Sequence, residues 1–293
     1  MRISEEQILS DLKAIGIKNG DVVFITADLL KPGFFIKGKS AILKKWVDML
    51  IDAVGETGTI IAASYSKNYL RFFGDKNNPY VKNSIPTSGS LSNALVSDER
   101  SFRSEHPTNS YVGIGPLAKE ILSNHGADGM SYDPIGKIID LGGKNLMLGT
   151  VDEKNAPMVF HYSQQMLGYT KKDPLCGFGE TYYRQDSKLI KFIRRDVGGC
   201  SAGAHKLYGK LIDGKCISIG MIGNAPSALI DAKSSYKIIY EIVKNNKSMA
   251  FCNDFSCLSC YGRFSNVGHV VVYCYALNCI KLLRYIKRKI FKK

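Results

Sequence analysis

No stretch of the chain stays apolar long enough to cross a bilayer. The longest such run lies within Val270–Leu277, against the roughly 20 residues that a spanning helix needs. The opening MRISEEQILSDLKAIG carries acids and no apolar h-region, so no secretory or transit peptide is read there and a cytoplasmic protein is expected. Also missing are a GxSxG nucleophile elbow, a GxxxxGK(S/T) phosphate loop and a GxGxxG turn after a strand. None of those three chemistries is therefore signalled. Internal repeats, low-complexity linkers and sharp domain boundaries are absent too.

What is present is ordinary globular material: 293 residues, 45% hydrophobic and 23% charged, enough for one large domain or two small ones. The net charge of +14 is uneven. Lys281–Lys293 holds seven basic residues and no acid, so half of the excess belongs to the tail. A nucleic-acid enzyme more often carries its charge as a stripe on the domain itself, so nucleic acid is not read as a partner.

Eight cysteines fit a reducing compartment. Cys176, Cys200 and Cys216 stand singly, whereas Cys252, Cys257, Cys260, Cys274 and Cys279 cluster late in the chain. Cys257-x-x-Cys260 is half of a zinc motif, but no second Cys-x-x-Cys or His pair stands at the usual spacing. The reading is buried or idle thiols and no metal.

Apolar runs and helical periods alternate. Residues 4–15 read as a helix and Val22–Thr26 as a buried strand. Ser40 is a cap candidate for a helix in which Ile42, Leu43, Trp46, Val47, Leu50, Ile51 and Val54 share a face, with Gly55 at its end. Thr59–Ala63 is the next strand. Residues 64–87 form a long polar loop with interleaved aromatics, a length that marks function or mobility. Helices follow at Ser88–Val96 and near Pro116–Ser123; then come the segment Pro134–Asp140, Gly142-Gly143, the strand Asn145–Gly149 and a helix whose first turn holds Pro157. Beyond it, Ser187–Asp196 reads as strand, Ala204–Asp213 as helix, Cys216–Met221 as strand and Ala225–Lys244 as one long helix. The order implies an α/β fold, a mixed, largely parallel sheet flanked by helices. The boundary is placed at 250, with 1–250 as the catalytic domain and 251–293 as a cysteine-containing basic extension.

Of five histidines, His125 lies before Gly126 in a polar turn and is read as solvent-facing, and His205 and His269 have no acidic or metal-ligand partner at useful spacing. His106 precedes a proline in a polar loop, and structural and functional readings of it are even. His161 differs, because Gln164 and Gln165 share its helix face and one of them can fix its tautomer. The other ring nitrogen can then take a proton. Spacing alone stops at an α/β enzyme with a histidine that could serve as a base.

Several segments together resemble the aminoglycoside 3-N-acetyltransferase family. Ile15-Gly-Ile-Lys-Asn-Gly-Asp-Val-Val-Phe24 and Val54-Gly-Glu-Thr-Gly-Thr-Ile60 are similar to its N-terminal lobe. Arg103-Ser-Glu-His-Pro-Thr-Asn-Ser110 resembles its R-x-x-H-P-x-x-S signature. Asp133-Pro-Ile-Gly-Lys137 with Gly142-Gly-Lys-Asn-Leu-Met-Leu-Gly149 resembles the next block, and Phe160-His-Tyr-Ser-Gln-Gln165 its H-x-x-E catalytic segment. The last is closer still to F-H-Y-x-E-Q, found in a branch among surface-polysaccharide genes. The resemblance covers roughly residues 5–245. Two departures stand out: Gln164 replaces the family's glutamate, and Thr26-Ala27-Asp28 replaces its H-S-S cofactor segment.

The resemblance implies acetyl transfer from acetyl-CoA to the amine of an amino sugar, nucleotide-linked for a surface polysaccharide, with a true aminoglycoside as one alternative and a weakened CoA- or glycan-binding homologue as another. His161 is the expected general base with Gln164 beside it, and Thr150 is an oxyanion-donor candidate. Asp28, Ser88, Gly89, Ser90, Arg103, His106 and Lys137 are the expected CoA contacts, through cations or a helix N-terminus. In the tail, Ile280, Leu282, Leu283, Tyr285, Ile286, Ile290 and Phe291 alternate with basic residues at helical spacing. Three readings of 280–293 are open: peripheral membrane contact, a solvated tail, or a homo-oligomer contact.

Overall fold

The computed structural model describes residues 3–34, 36–172, 176–262 and 268–290. The chain starts with helix α1 (Glu5–Ala14), capped by the Ser4 hydroxyl, which accepts from the Gln7 N–H at 3.2 Å. Ile8 and Leu12, one turn apart, are its buried pair. Strand β1 (Val22–Ala27) follows, then α2 (Lys39–Val54) and β2 (Thr59–Ala63). Helix α2 starts one residue before the predicted cap: Gly38 is the N-cap and Ser40 already lies in the first turn. Its end is as expected, with Gly55 at φ 69° taking the chain out of the helix.

Next come β3 (Tyr69–Leu70), α3 (Ser90–Val96), β4 (Phe102–Arg103), β5 (Tyr111–Ile114), α4 (Ala118–Leu122), α5 (Asp133–Asp140), β6 (Lys144–Leu148) and α6 (Met158–Met166). The second half holds β7 (Gly179–Gln185), β8 (Lys188–Ile193), a 3-10 segment at Ser201–Leu207, α7 (Tyr208–Asp213), β9 (Ile217–Ile222), β10 (Ala225–Asp231), α8 (Ala232–Asn245) and α9 (Gly268–Ile290).

The main sheet runs β4-β5-β2-β1-β6-β10-β9. Its centre, β2-β1-β6, is parallel, in register Phe24↔Ile61 and Phe24↔Asn145, and its flanks are antiparallel. The expected mixed α/β sheet flanked by helices is thus present. Successive residues of β1 point to opposite faces. Val22 and Phe24 join one core with α5, α6 and α8, while Val23 and Ile25 join the other with α1 and α2.

One expectation fails. Ala225–Lys244 is not a single helix, because Ala225–Asp231 is β10, wedged between β6 and β9. Gly223, at φ 56°, turns the chain back on β9, and α8 starts only where the Asp231 carboxylate accepts from the Ser234 N–H at 2.8 Å. Similarly, Ala204–Asp213 is helical throughout, but its first part is 3-10 rather than α. The strand read at Ser187–Asp196 is β8, and its partner β7 was not read. Asp186 and Ser187 join the two with positive φ at both positions, the geometry of a tight hairpin.

The extension begins inside the body: Phe251, Cys252 and Cys260 belong to the same core as α6 and α8. Helix α9 leaves Leu282, Leu283 and Tyr285 exposed. No described helix is long and apolar enough to cross a membrane. Phe291 and the last two lysines lie outside the described residues.

Candidate active site

The parallel strands β1, β2 and β6 end on one edge of the sheet, the edge where open α/β sheets bind ligands. Thr26-Ala27-Asp28, Ser64-Tyr65 and Gly149-Thr150 therefore lie there together. Helix α6 is tied to this sheet by Asn145, which is buried on β6. Its Oδ1 accepts from the Met158 N–H at 2.8 Å, and its amide donates to the Phe24 carbonyl at 3.2 Å. Val159 and Phe160 anchor the helix in the core and leave His161 half-buried beside them.

His161 lies between two partners. Nδ1 is 3.1 Å from Gln164 Oε1, and Nε2 is 2.9 Å from the Ser201 hydroxyl. A carbonyl oxygen only accepts, so the proton sits on Nδ1 and the lone pair of Nε2 faces Ser201. The expected i+3 partnership is present, and the hydroxyl on the far nitrogen is new. Tyr132 stacks on the imidazole at 5.5 Å and 24°. Gln165, the other neighbour, holds Tyr132: its Oε1 accepts from the Tyr132 N–H at 2.9 Å, while its amide donates to Asp133 Oδ1 at 2.8 Å. The buried Asp196 carboxylate accepts from both the N–H and the hydroxyl of Ser131, one residue earlier. Gly198 is a glycine for a local reason, since a Cβ there would collide with the Tyr132 hydroxyl.

Tyr132 also walls a cleft of about 450 Å³, shared with Tyr65, Lys67, Asn68, Asn109 and Arg194. Lys67 and Arg194 make it cationic, and among the described residues no carboxylate lines it. Thr87 reaches it as well, through bonds to the Tyr65 carbonyl. Ser88 is spent on the Tyr65 N–H, whose bond it accepts at 2.7 Å. Gly89 and Ser90 continue as an exposed lip, with open space around Gly89.

The expected CoA contacts are thus scattered. Arg103 is buried, not a surface cation: its guanidinium donates to the carbonyls of Ser64, Lys82 and Ser84 and lies 5.2 Å from the Tyr80 ring. It fastens the long 64–87 loop to the β4–β5 hairpin and, buried there, is not presented to a phosphate in the cleft. His106 is fully buried. Its Nδ1 accepts from the N–H groups of Thr108 and Asn109 at 3.3 and 2.9 Å, which closes the turn after Pro107. Ser110 completes the knot by donating to the Ser64 carbonyl at 2.6 Å. The R-x-x-H-P-x-x-S segment therefore shapes the cleft from behind, and the assignment of Arg103 and His106 to CoA is corrected on grounds of burial.

Burial also sets their titration. Desolvation pushes His106 down to about 2, with the neighbouring His125 adding to the effect, and takes His125 down to about 4. Both stay neutral, stacked 4.8 Å apart, and His125, expected at the surface, is instead buried, with its ring nitrogens on the Ser104 hydroxyl and the Met130 carbonyl. Lys137 is exposed on α5. Asp28 accepts from the Leu30 N–H and pairs with Lys31, and Thr150 donates to the Thr26 carbonyl at 3.4 Å. These two stand on the same sheet edge, at the ends of β1 and β6.

Sequence reasoning missed Ser201, Tyr132, Asn145 and Arg194. Only Ser201 carried any signal, the run of small residues from Gly198 to Gly203, and nothing in that run points to His161.

Comparisons with known proteins identify the family and the fold. A family model described as aminoglycoside 3-N-acetyltransferase matches residues 24–244. Aminoglycoside N(3)-acetyltransferase IX of Micromonospora chalcea is 25% identical over 78% of this chain and 89% of its own. The prophage-derived acetyltransferase-like protein YokD of Bacillus subtilis is 27% identical over 84% and 94%. Its crystal structure superposes with a TM-score of 0.70, covering 85% of this chain and 96% of that one. AAC-IIIb, solved as a binary complex with CoASH, gives 0.66 at 19% identity over 87% and 99%.

Proposed function

The chain belongs to the aminoglycoside 3-N-acetyltransferase family, and from that premise we propose that it carries the acetyl group of acetyl-CoA to an amine of an aminoglycoside, with His161 as general base. The observation that carries the reading is the position of His161 between Gln164 and Ser201. With Nδ1 held protonated, Nε2 is the atom that removes a proton from the attacking amine once that amine displaces the Ser201 hydroxyl. The nitrogen attacks the thioester carbonyl, the tetrahedral oxyanion collapses, and CoA leaves as a thiolate that recovers the proton from the imidazolium. Thr150, beside the ends of β1 and β6, is the proposed donor to the oxyanion. Lys67, Arg194 and Lys137, with the Ser88–Ser90 lip, are the proposed contacts for CoA phosphates, and Asp28 is a proposed acceptor for N–H or O–H groups of CoA elsewhere.

The names of the relatives favour an aminoglycoside over the nucleotide-linked amino sugar suggested by the Phe160–Gln165 segment. One observation keeps that second acceptor in play. An aminoglycoside is a polycation, and among the described residues the cleft beside Tyr132 offers two cations and no carboxylate, on a chain of net charge +14. Such a surface suits an anionic acceptor as well as it suits CoA. Free-thiol release from acetyl-CoA, measured over aminoglycosides and nucleotide-linked amino sugars, separates the two. Turnover with one class names the acceptor. Binding of acetyl-CoA without thiol release across both classes overturns the catalytic reading, as does a His161→Ala variant with undiminished turnover.

A further inference from the structure

One residue before Ser201, four cysteines converge. The Sγ atoms of Cys200, Cys252, Cys257 and Cys260 all lie within 4.8 Å of one another. Cys252 and Cys260 are buried, Cys200 and Cys257 half-buried, and all four are reduced. In a tetrahedral zinc tetrathiolate, with Zn–S near 2.3 Å, sulfurs stand about 3.8 Å apart. The observed separations, none above 4.8 Å, let the four sulfurs close on one ion with small side-chain rotations. Disulfide chemistry joins sulfurs only in pairs and gives no reason for four to share one point.

The surroundings suit thiolates. The backbone N–H of Cys252 points at the Cys260 sulfur at 3.4 Å. The N–H of Cys260 donates to the Cys257 carbonyl at 3.1 Å and closes the tight turn that brings the sulfurs of Cys257 and Cys260 together. An N–H···S bond such as that to Cys260 orients a metal-bound sulfur and spreads its charge. Aromatic rings close the outside, with Tyr261 5.3 Å from Phe251 and 5.0 Å from Phe255. The Lys206 ammonium, bound to the Phe251 carbonyl at 2.6 Å, brings positive charge one residue from Cys252.

We propose that Cys200, Cys252, Cys257 and Cys260 bind one zinc ion as a closed structural site. Four thiols release four protons and the ion completes a tetrahedron of net charge −2. With four protein ligands there is no open position, so the metal supplies no chemistry to the reaction. It fastens the C-terminal extension to the loop that delivers Ser201 to His161. This replaces the expectation of idle thiols. The missing half of the motif is Cys252 and Cys200, and the second lies far upstream, where no local spacing rule reaches.

The test is metal analysis of the full-length protein, purified without chelator or affinity metal. One zinc per chain is expected, released to a colorimetric chelator only when a mercurial titrates the thiols. Cys257→Ser and Cys200→Ser should each retain less than about a tenth of it. If those variants do not fold, cobalt substitution of the unaltered chain gives a second readout, the visible and charge-transfer bands of tetrahedral cobalt thiolate. A folded, zinc-free protein overturns the proposal. So does cobalt-treated protein without those bands, or an intact mass showing these cysteines joined as disulfides.

Discussion

Asn145→Ala tests how His161 is placed. Asn145 is 1% exposed and makes two good hydrogen bonds, from the Met158 N–H at 2.8 Å and to the Phe24 carbonyl at 3.2 Å. Its removal leaves the first N–H of α6 buried without a partner, at a cost of about 1–3 kcal/mol, and forfeits a second bond worth about 1 kcal/mol. The sum, roughly 2–4 kcal/mol, lowers the melting temperature of a chain this size by about 2–4 °C per kcal/mol. His161 sits less than one turn beyond Met158, so a loosened helix start moves its imidazole directly. A misplacement of about 1 Å can cost a factor of ~10² in rate. The expected result is a drop of about 4–16 °C by calorimetry, with kcat for thiol release reduced about 10- to 100-fold and KM for acetyl-CoA nearly unchanged. An unchanged melting temperature would refute the anchoring role of Asn145. A lowered melting temperature with kcat within twofold of the parent would show that α6 is positioned by other contacts.

Gln164→Glu places a carboxylate where the amide oxygen now meets Nδ1 at 3.1 Å; it stabilises the imidazolium, so turnover holds or rises at high pH while the acid limb of kcat/KM moves to higher pH, and an unmoved limb would deny that His161 is the base. Arg194→Gln removes one of two cations from the cleft and should raise KM for acetyl-CoA about 10-fold or more, the scale of a lost charge-assisted bond; an unchanged KM would place the CoA phosphates elsewhere. Stability should fall in acid: His106 and His125 titrate near 2 and 4 when folded but near 6.5 when unfolded, so the unfolded chain takes up protons first. Their contribution is complete above pH 6.5 and declines below it by about 1.4 kcal/mol per pH unit for each ring, until His125 itself protonates near pH 4. His106→Asn keeps a side-chain acceptor for the Thr108 and Asn109 N–H groups and should roughly halve that slope in urea titrations between pH 6.5 and 4.5, whereas an unaltered slope would mean that His106 is charged in the folded state.

The first half of the fold is legible in the sequence because its periods are local. The apolar face of α2, the glycine after it and the short apolar runs of β1 and β2 each declare themselves within a few residues. Ala225–Asn245 does not, because β10 and α8 share a composition of small and aliphatic residues, and the hairpin at Gly223 that separates them depends on β9. Strand β7 was missed because its sequence, GETYYRQ, is mostly polar. At the site, Gln164 is legible because i+3 is fixed by helix geometry. Ser201 and Tyr132 reach His161 from 40 and 29 residues away, and no spacing rule covers such contacts. Arg103 was visible as part of a signature but misassigned, because an arginine in a polar loop reads as surface and its burial is a tertiary fact.

That buried arginine has a further consequence. Its guanidinium is held by three peptide carbonyls and a tyrosine face rather than by a carboxylate. A fastening of this kind has no acid to protonate and, at 4% exposure, little contact with dissolved ions. The back wall of the cleft should therefore be indifferent to acidity and ionic strength under conditions that already strain the neighbouring histidines. When the enzyme is acidified, the pocket should keep its shape until the whole domain gives way, so binding of CoA should persist below the pH at which protonation of His161 has already stopped turnover.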